Sequence, residues 1–148
     1  MKHTKLFEAN QRGATLVEFA IAATVLLTAV FGVIEFGRAL WVHNALTDAA
    51  RRGARYATLH SEDSVTEVKN VVVYGNPAGG SDPVVPNFTP ANVTVTYSDF
   101  ALNHGTVTVS VENYQFQFVV PIVGTTMTMP KYSTTLTGEC IGFIPNDI

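Results

Sequence analysis

The sequence is poor in charge, in cysteine and, over its first half, in proline. Lys, Arg, Asp and Glu make up 14% of its 148 residues, against about 25% in an average soluble domain. The few charges sum to -3 and form no basic stripe of the kind a nucleic-acid partner favours. At 47% apolar residues, the chain is not a solvated disordered one. One cysteine, Cys140, excludes an internal disulfide and a zinc site built on paired cysteines. No proline precedes Pro77, so nothing in the first half forces a helix to break. The length suits one domain.

Catalytic signatures are missing as well. His3, His43, His60 and His104 stand at no ligand spacing from one another or from Cys140, which argues against a metal site. No nucleophile motif frames a serine, and there is no phosphate-binding glycine loop. No catalytic residue, metal or cofactor is expected. Any ATP-driven step belongs to a partner.

What is present is concentrated early. From Phe19 to Ile34 sixteen residues carry no charge, and extension back to Ala14 adds a single one, Glu18. About 20 apolar residues cross the hydrocarbon core of a bilayer. The run is apolar all round and no other segment is long enough to bury it, which favours a membrane span over a core helix. Lys2, Lys5 and Arg12 precede it against Glu8, so the N-terminus is expected in the cytoplasm. The run continues into Glu35, Phe36, Gly37 and Arg38 without the small-residue site of a secretory signal. It is therefore expected to stay in the mature protein. Glu18 is the exception within it, because an acidic group at mid-helix costs about 2.5–3.5 kcal/mol on insertion scales, less near an end. An interfacial carboxylate that snorkels to the headgroups is the plain alternative to a functional one.

Gly13 precedes Ala14, and Glu18 is the fifth residue counted from Ala14. With the short basic leader, this resembles the processing site of type IV prepilins. The wider string adds Val17-Glu18-Phe19, Phe31-Gly32, Glu35-Phe36-Gly37-Arg38 and Ala49-Ala50-Arg51-Arg52-Gly53-Ala54-Arg55-Tyr56-Ala57. Residues 12 to 58 are thereby similar to the TadE-like branch of that superfamily, the pseudopilins of tight-adherence (Flp) systems. The resemblance implies cleavage between Gly13 and Ala14 by a prepilin peptidase. It also implies that Glu18 is the assembly residue, pairing with the new ammonium of a neighbouring subunit. Two charges that are each costly in an apolar bundle are tolerable together.

Ala14 to about Thr58 reads as one helix. Beyond the membrane, Val42, Leu46, Ala49, Ala50, Gly53 and Ala57 form a stripe at helical spacing, with polar residues opposite. Asp48 stands three and four residues before Arg51 and Arg52, so local ion pairing explains that basic face. Glu35 and Arg38 read as an interfacial pair, and Trp41 as part of the aromatic belt. Gly32, Gly37 and Gly53 each cost a soluble helix about 1 kcal/mol relative to Ala. Close approach by neighbouring helices is the expected use of Gly32 and Gly37.

Val65 to Tyr74 opens the second half, and residues 75 to 90 read as a loop. Val93, Val95 and Tyr97 alternate with polar residues, as do Val107, Val109 and Val111, with Asn103-His104-Gly105 as the hairpin between them. The phase shifts at Tyr114, Phe116 and Phe118, so a bulge or turn is expected near Glu112-Asn113. Tyr132, Thr134, Leu136, Gly138 and Cys140 suggest a last strand.

The expected fold is α+β: a long N-terminal helix, membrane-spanning in its first half, packed on a C-terminal antiparallel sheet. The expected organisation is a leader over 1–13, a transmembrane and assembly helix over 14–42 and an extracytoplasmic domain over 43–148, helical to about residue 60. The resemblance implies a pilin or pseudopilin of the inner membrane, later periplasmic or extracellular in a pilus. Its implied partners are other pilin subunits, a prepilin peptidase, an inner-membrane platform with its ATPase, and a secretin, and its implied role is pilus biogenesis and surface adhesion. Two alternatives remain at this point. One is the main subunit of an extracellular filament; the other is an uncleaved single-pass protein presenting a β-rich binding domain.

Overall fold

A computed structural model describes residues 5–98, 105–120 and 125–137, with the backbone alone over 5–12. A single helix, α1 (Lys5–Thr58), occupies 54 residues without interruption. At 1.5 Å per residue it is about 80 Å long. Its continuity follows from the missing prolines and from a composition rich in Ala and Leu.

A short 3-10 turn (Glu62–Ser64) leads into α2 (Val65–Tyr74). The sequence TEVKNVVVY contains three consecutive valines, which individually favour strands. Helical spacing prevails, because Val68, Val71 and Val72 then fall on one buried face. Gly75 ends α2 at φ 72°, its N–H donating to the Val71 carbonyl at 3.0 Å, a left-handed cap that glycine adopts without penalty. The sequence reading placed no second helix here.

The sheet comprises β1 (Val93–Ser98), β2 (Thr106–Val111) and β5 (Tyr132–Thr137), antiparallel with β2 in the centre. Val93 pairs with Val111, Val95 with Val109 and Tyr97 with Val107. On the other side of β2, Val107 faces Leu136 and Val111 faces Tyr132. These rows point at α1 and α2, and Val107, Val109 and Val111 are fully buried. The helical stripe meets them as expected: Val42, Leu46, Ala49, Ala50 and Ala57 are buried, together with Ala54. The outer face is a grid of hydroxyls, with Thr108 bonded to Thr135 at 2.8 Å and Ser110 to Ser133 at 3.1 Å.

The expected turn at Glu112-Asn113 is present, and it does more than correct the phase. Asn113 adopts φ 56°, a left-handed conformation asparagine tolerates. The chain then leaves the sheet. β3 (Gln115–Gln117) pairs instead with β4 (Thr126–Thr128) as a separate ribbon, with Phe116 opposite Met127. Asn92 holds the junction, its Nδ2 donating to the carbonyls of Glu112 and Asn113, both at 3.2 Å. The expected hairpin residues Asn103 and His104, and the strand positions Gly138 and Cys140, lie outside the described residues.

Candidate assembly surface

Among the described residues, the side chains along the first half of α1 are almost all exposed. Leu16, Phe19, Ile21, Val25, Val33 and Ile34 all have more than half of their surface exposed. The most apolar window of this helix is entirely unburied. A stretch of this kind has no stable place in water, and the single long apolar helix supports membrane association. From Ala14 to Ile34 it is about 31 Å long, close to the thickness of a bilayer core.

Gly13 and Ala14 lie inside this continuous helix, and apart from the adjoining helix backbone no described heavy atom stands within 4 Å of the place a Gly13 Cβ would occupy. Gly13, Ala14, Val17, Glu18 and Ile21 line one shallow depression. The reason is helical spacing: positions i and i+4 share a face. Ala14 and Glu18 are therefore neighbours along one side of the helix, and Glu18 is exposed there. Gly32 and Gly37 likewise have nothing within 4 Å of a built Cβ. Within the chain, the close helix approach occurs at Gly53. A Cβ there would overlap Cγ2 of Val72 on α2 and sit 3.4 Å from Cγ1 of Val109.

Residues 13–55 match the family described as TadE-like protein. The match starts at Gly13, takes in the apolar run and most of the packing stripe, and stops before α2. It supports a structural role of the pilin or pseudopilin type for this region. Comparison with curated proteins and with solved structures found no match. The sheet domain thus has to be read from its own geometry.

That geometry gives Glu35 and Arg38 a task beyond pairing with each other. Their side chains are 2.8 Å apart. The second carboxylate oxygen of Glu35 accepts the Val119 N–H at 3.1 Å. Arg38 donates to the Gln117 carbonyl and lies 4.3 Å from the centroid of the Phe116 ring. The two charged residues therefore clamp the end of β3 to the helix, where the apolar run stops. Further along α1, Nδ1 of His43 meets the Tyr132 hydroxyl at 2.9 Å. Between helix and ribbon lies an apolar cavity of about 530 Å³, lined by Gly32, Phe36 and Leu40 on one wall and by Phe118, Val120 and Met127 on the other.

The basic face resolves differently for Arg51 and Arg52. Arg51 is 3.6 Å from Asp48, both exposed, a pair of small energetic value. Arg52 turns to the carbonyl of Val71 at 3.3 Å, joining α1 to α2 near the C-terminal end of α2. Among the described residues, no three His, Cys, Asp or Glu side chains gather as a metal site. Tyr97, Tyr114 and Tyr132 have pKa values raised above the ordinary value, chiefly by burial.

The ribbon clamp was the part sequence reasoning missed. Glu35 and Arg38 were visible as a pair, but their targets lie about 80 residues away. The available signal was the unbroken lack of charge from Asn113 to Pro130.

Proposed function

We propose that the chain is a pilin or pseudopilin subunit of a tight-adherence pilus, inserted through α1, cut between Gly13 and Ala14 and assembled helix to helix. The observation that carries this reading is the bare apolar half of α1, with Glu18 on the same face as Ala14, inside the region matched by the TadE-like family. Its partners on this reading are other pilin subunits, a prepilin peptidase, an inner-membrane platform with its ATPase, and a secretin. The N-terminus starts in the cytoplasm, and the sheet domain stands outside. The chain contributes no catalytic group.

The chemistry is consistent at each step. Cleavage removes three basic and one acidic side chain, leaving 135 residues (148 - 13) at -5. It leaves Glu18 at the start of the second turn of the shortened helix, one turn from the positive end of the helix dipole. The new ammonium at Ala14 is one turn from Glu18 of the same chain. It can bond that carboxylate or the one on an adjacent subunit, and the second choice sets the axial offset between helices. Gly32 and Gly37 leave room for an incoming helix.

N-terminal sequencing of native material tests the cut: Ala14 is the expected first residue. Recovery of Met1 from functional protein overturns it and favours an uncleaved single-pass protein, a reading that the unbroken helix through Gly13 also accommodates. Glu18→Ala should insert normally and fail to appear in sheared filaments. Normal assembly of that variant removes the pairing from the mechanism.

A further inference from the structure

We propose that the β3–β4 ribbon and the adjoining turn of α1 form an apolar collar that seats in the membrane leaflet on the domain's own side, with lipid acyl chains filling the cavity between them. The proposal rests on α1 being a membrane span, and it adds a second point of lipid contact made by the folded domain. The Val119 side chain at the ribbon end is 74% exposed, although its own N–H is held by Glu35. Phe36, Leu40 and Trp41 on α1 are 66%, 47% and 54% exposed. A folded domain facing water seldom leaves a cluster of this size uncovered.

Charge distribution selects lipid as the occupant. From Asn113 to Pro130 eighteen residues carry no charge. The charged residues on either side of this stretch, Glu112 and Lys131, pair with each other at 2.7 Å. Glu35 and Arg38, the ions nearest the cavity, neutralise each other and are tied down by ribbon backbone. The cavity wall at Gly32 belongs to the uncharged run itself, so apolar surface passes from span to collar without a polar break.

The height is suitable as well. Phe36 stands about 3 Å beyond Ile34 along the helix axis, inside an interfacial layer of about 5–8 Å on each side of the bilayer core, and Leu40, about 9 Å beyond Ile34, is at the outer edge of that layer. Trp41, one residue further, has the amphipathic ring that favours the boundary between membrane and water. Met127 and Met129 supply unbranched, adaptable walls suited to flexible chains.

The test uses the full chain in phosphatidylcholine vesicles, with Cys140→Ser and one fluorophore-bearing cysteine at a time. The three positions are Val119→Cys on the collar, Leu27→Cys in the span and Thr135→Cys on the outer sheet face. The expected result is loss of emission at positions 119 and 27 with nitroxide-bearing lipid, and loss only at position 135 with aqueous iodide. In the unlabelled chain, Val119→Asp should shift the emission of Trp41, the single tryptophan, to the red. A label at position 119 that behaves like the one at 135 overturns the collar. One shielded from both quenchers also overturns it, because a second protein chain then covers the site. If the label at position 27 itself escapes nitroxide lipid, the membrane-span reading fails, and the collar with it. A quenched position 27 beside an unquenched position 119 removes the collar alone.

Discussion

Replacing Gly53 by alanine sets helix propensity against packing, and packing should win. In an isolated helix the change favours folding by about 0.8–1.0 kcal/mol. Here the new methyl would occupy the space of Val72 Cγ2, with Val109 Cγ1 3.4 Å away. Val72 is fully buried and β-branched, so it has one strongly preferred rotamer in a helix. Relief needs either an unfavourable χ1 or separation of α1 from α2, and overpacking of this kind costs about 1–3 kcal/mol. Gly53→Ala should therefore destabilise the domain by about 0–2 kcal/mol, the difference of the two effects. Val72→Ala alone removes two methyl groups, each worth about 0.5–1.5 kcal/mol. With that space opened, Gly53→Ala should become stabilising by about 1 kcal/mol. The two changes should thus be coupled rather than additive. Equilibrium urea unfolding of the full chain in mild detergent, followed by Trp41 emission, measures all four corners of the cycle. If Gly53→Ala stabilises the parent chain as much as it stabilises the Val72→Ala variant, the close approach at Gly53 is refuted.

Other perturbations address the clamp and the tyrosines. Glu35→Ala should release the Val119 amide and leave Arg38 without its carboxylate, loosening the ribbon; hydrogen exchange should quicken across β3 and β4 and stay slow in β1, β2 and β5, and an unchanged ribbon would count against the clamp. Glu35→Gln should cost less, because it keeps an acceptor for the Val119 N–H. The raised pKa values of Tyr97, Tyr114 and Tyr132 mean that the folded state holds phenolic protons more tightly than the unfolded chain does. Stability from this source is fully present below the unfolded value of about 10 and is lost as pH rises through the folded values. Unfolding followed across that alkaline range should show stability falling, and a flat profile would contradict it. Tyr114→Phe, which removes the hydroxyl donating to the Pro86 carbonyl at 2.8 Å, should destabilise by about 1 kcal/mol in the same unfolding assay.

The sequence was most legible where structure is local. The uncharged run, the absence of proline and the stripe from Val42 to Ala57 made one helix, half bare and half packed, readable without a fold. Alternating valines marked β1 and β2, and the phase shift at Tyr114 marked the turn at Asn113. Sequence alone points to Gly32 and Gly37 as the close-packing glycines. Within the chain that position belongs to Gly53, while Gly32 and Gly37 await a partner on the proposed reading. Which glycine meets a neighbour depends on the position of α2, and a valine-rich decapeptide does not announce itself as a helix.

Thus the sequence by itself determined that this protein has an apolar half-helix unable to rest in water, a continuation that must pack, and a sheet rich in Thr and Val. Those properties follow from composition and periodicity over a few turns of chain. Tertiary structure decided that residues 65–74 are helical, that β5 rather than β3 completes the sheet, and that Glu35 and Arg38 hold the ribbon at the end of the apolar run. Each of those outcomes depends on groups far apart in sequence, 84 residues for the Glu35–Val119 bond. Their energies exist only once the chain has brought both partners together.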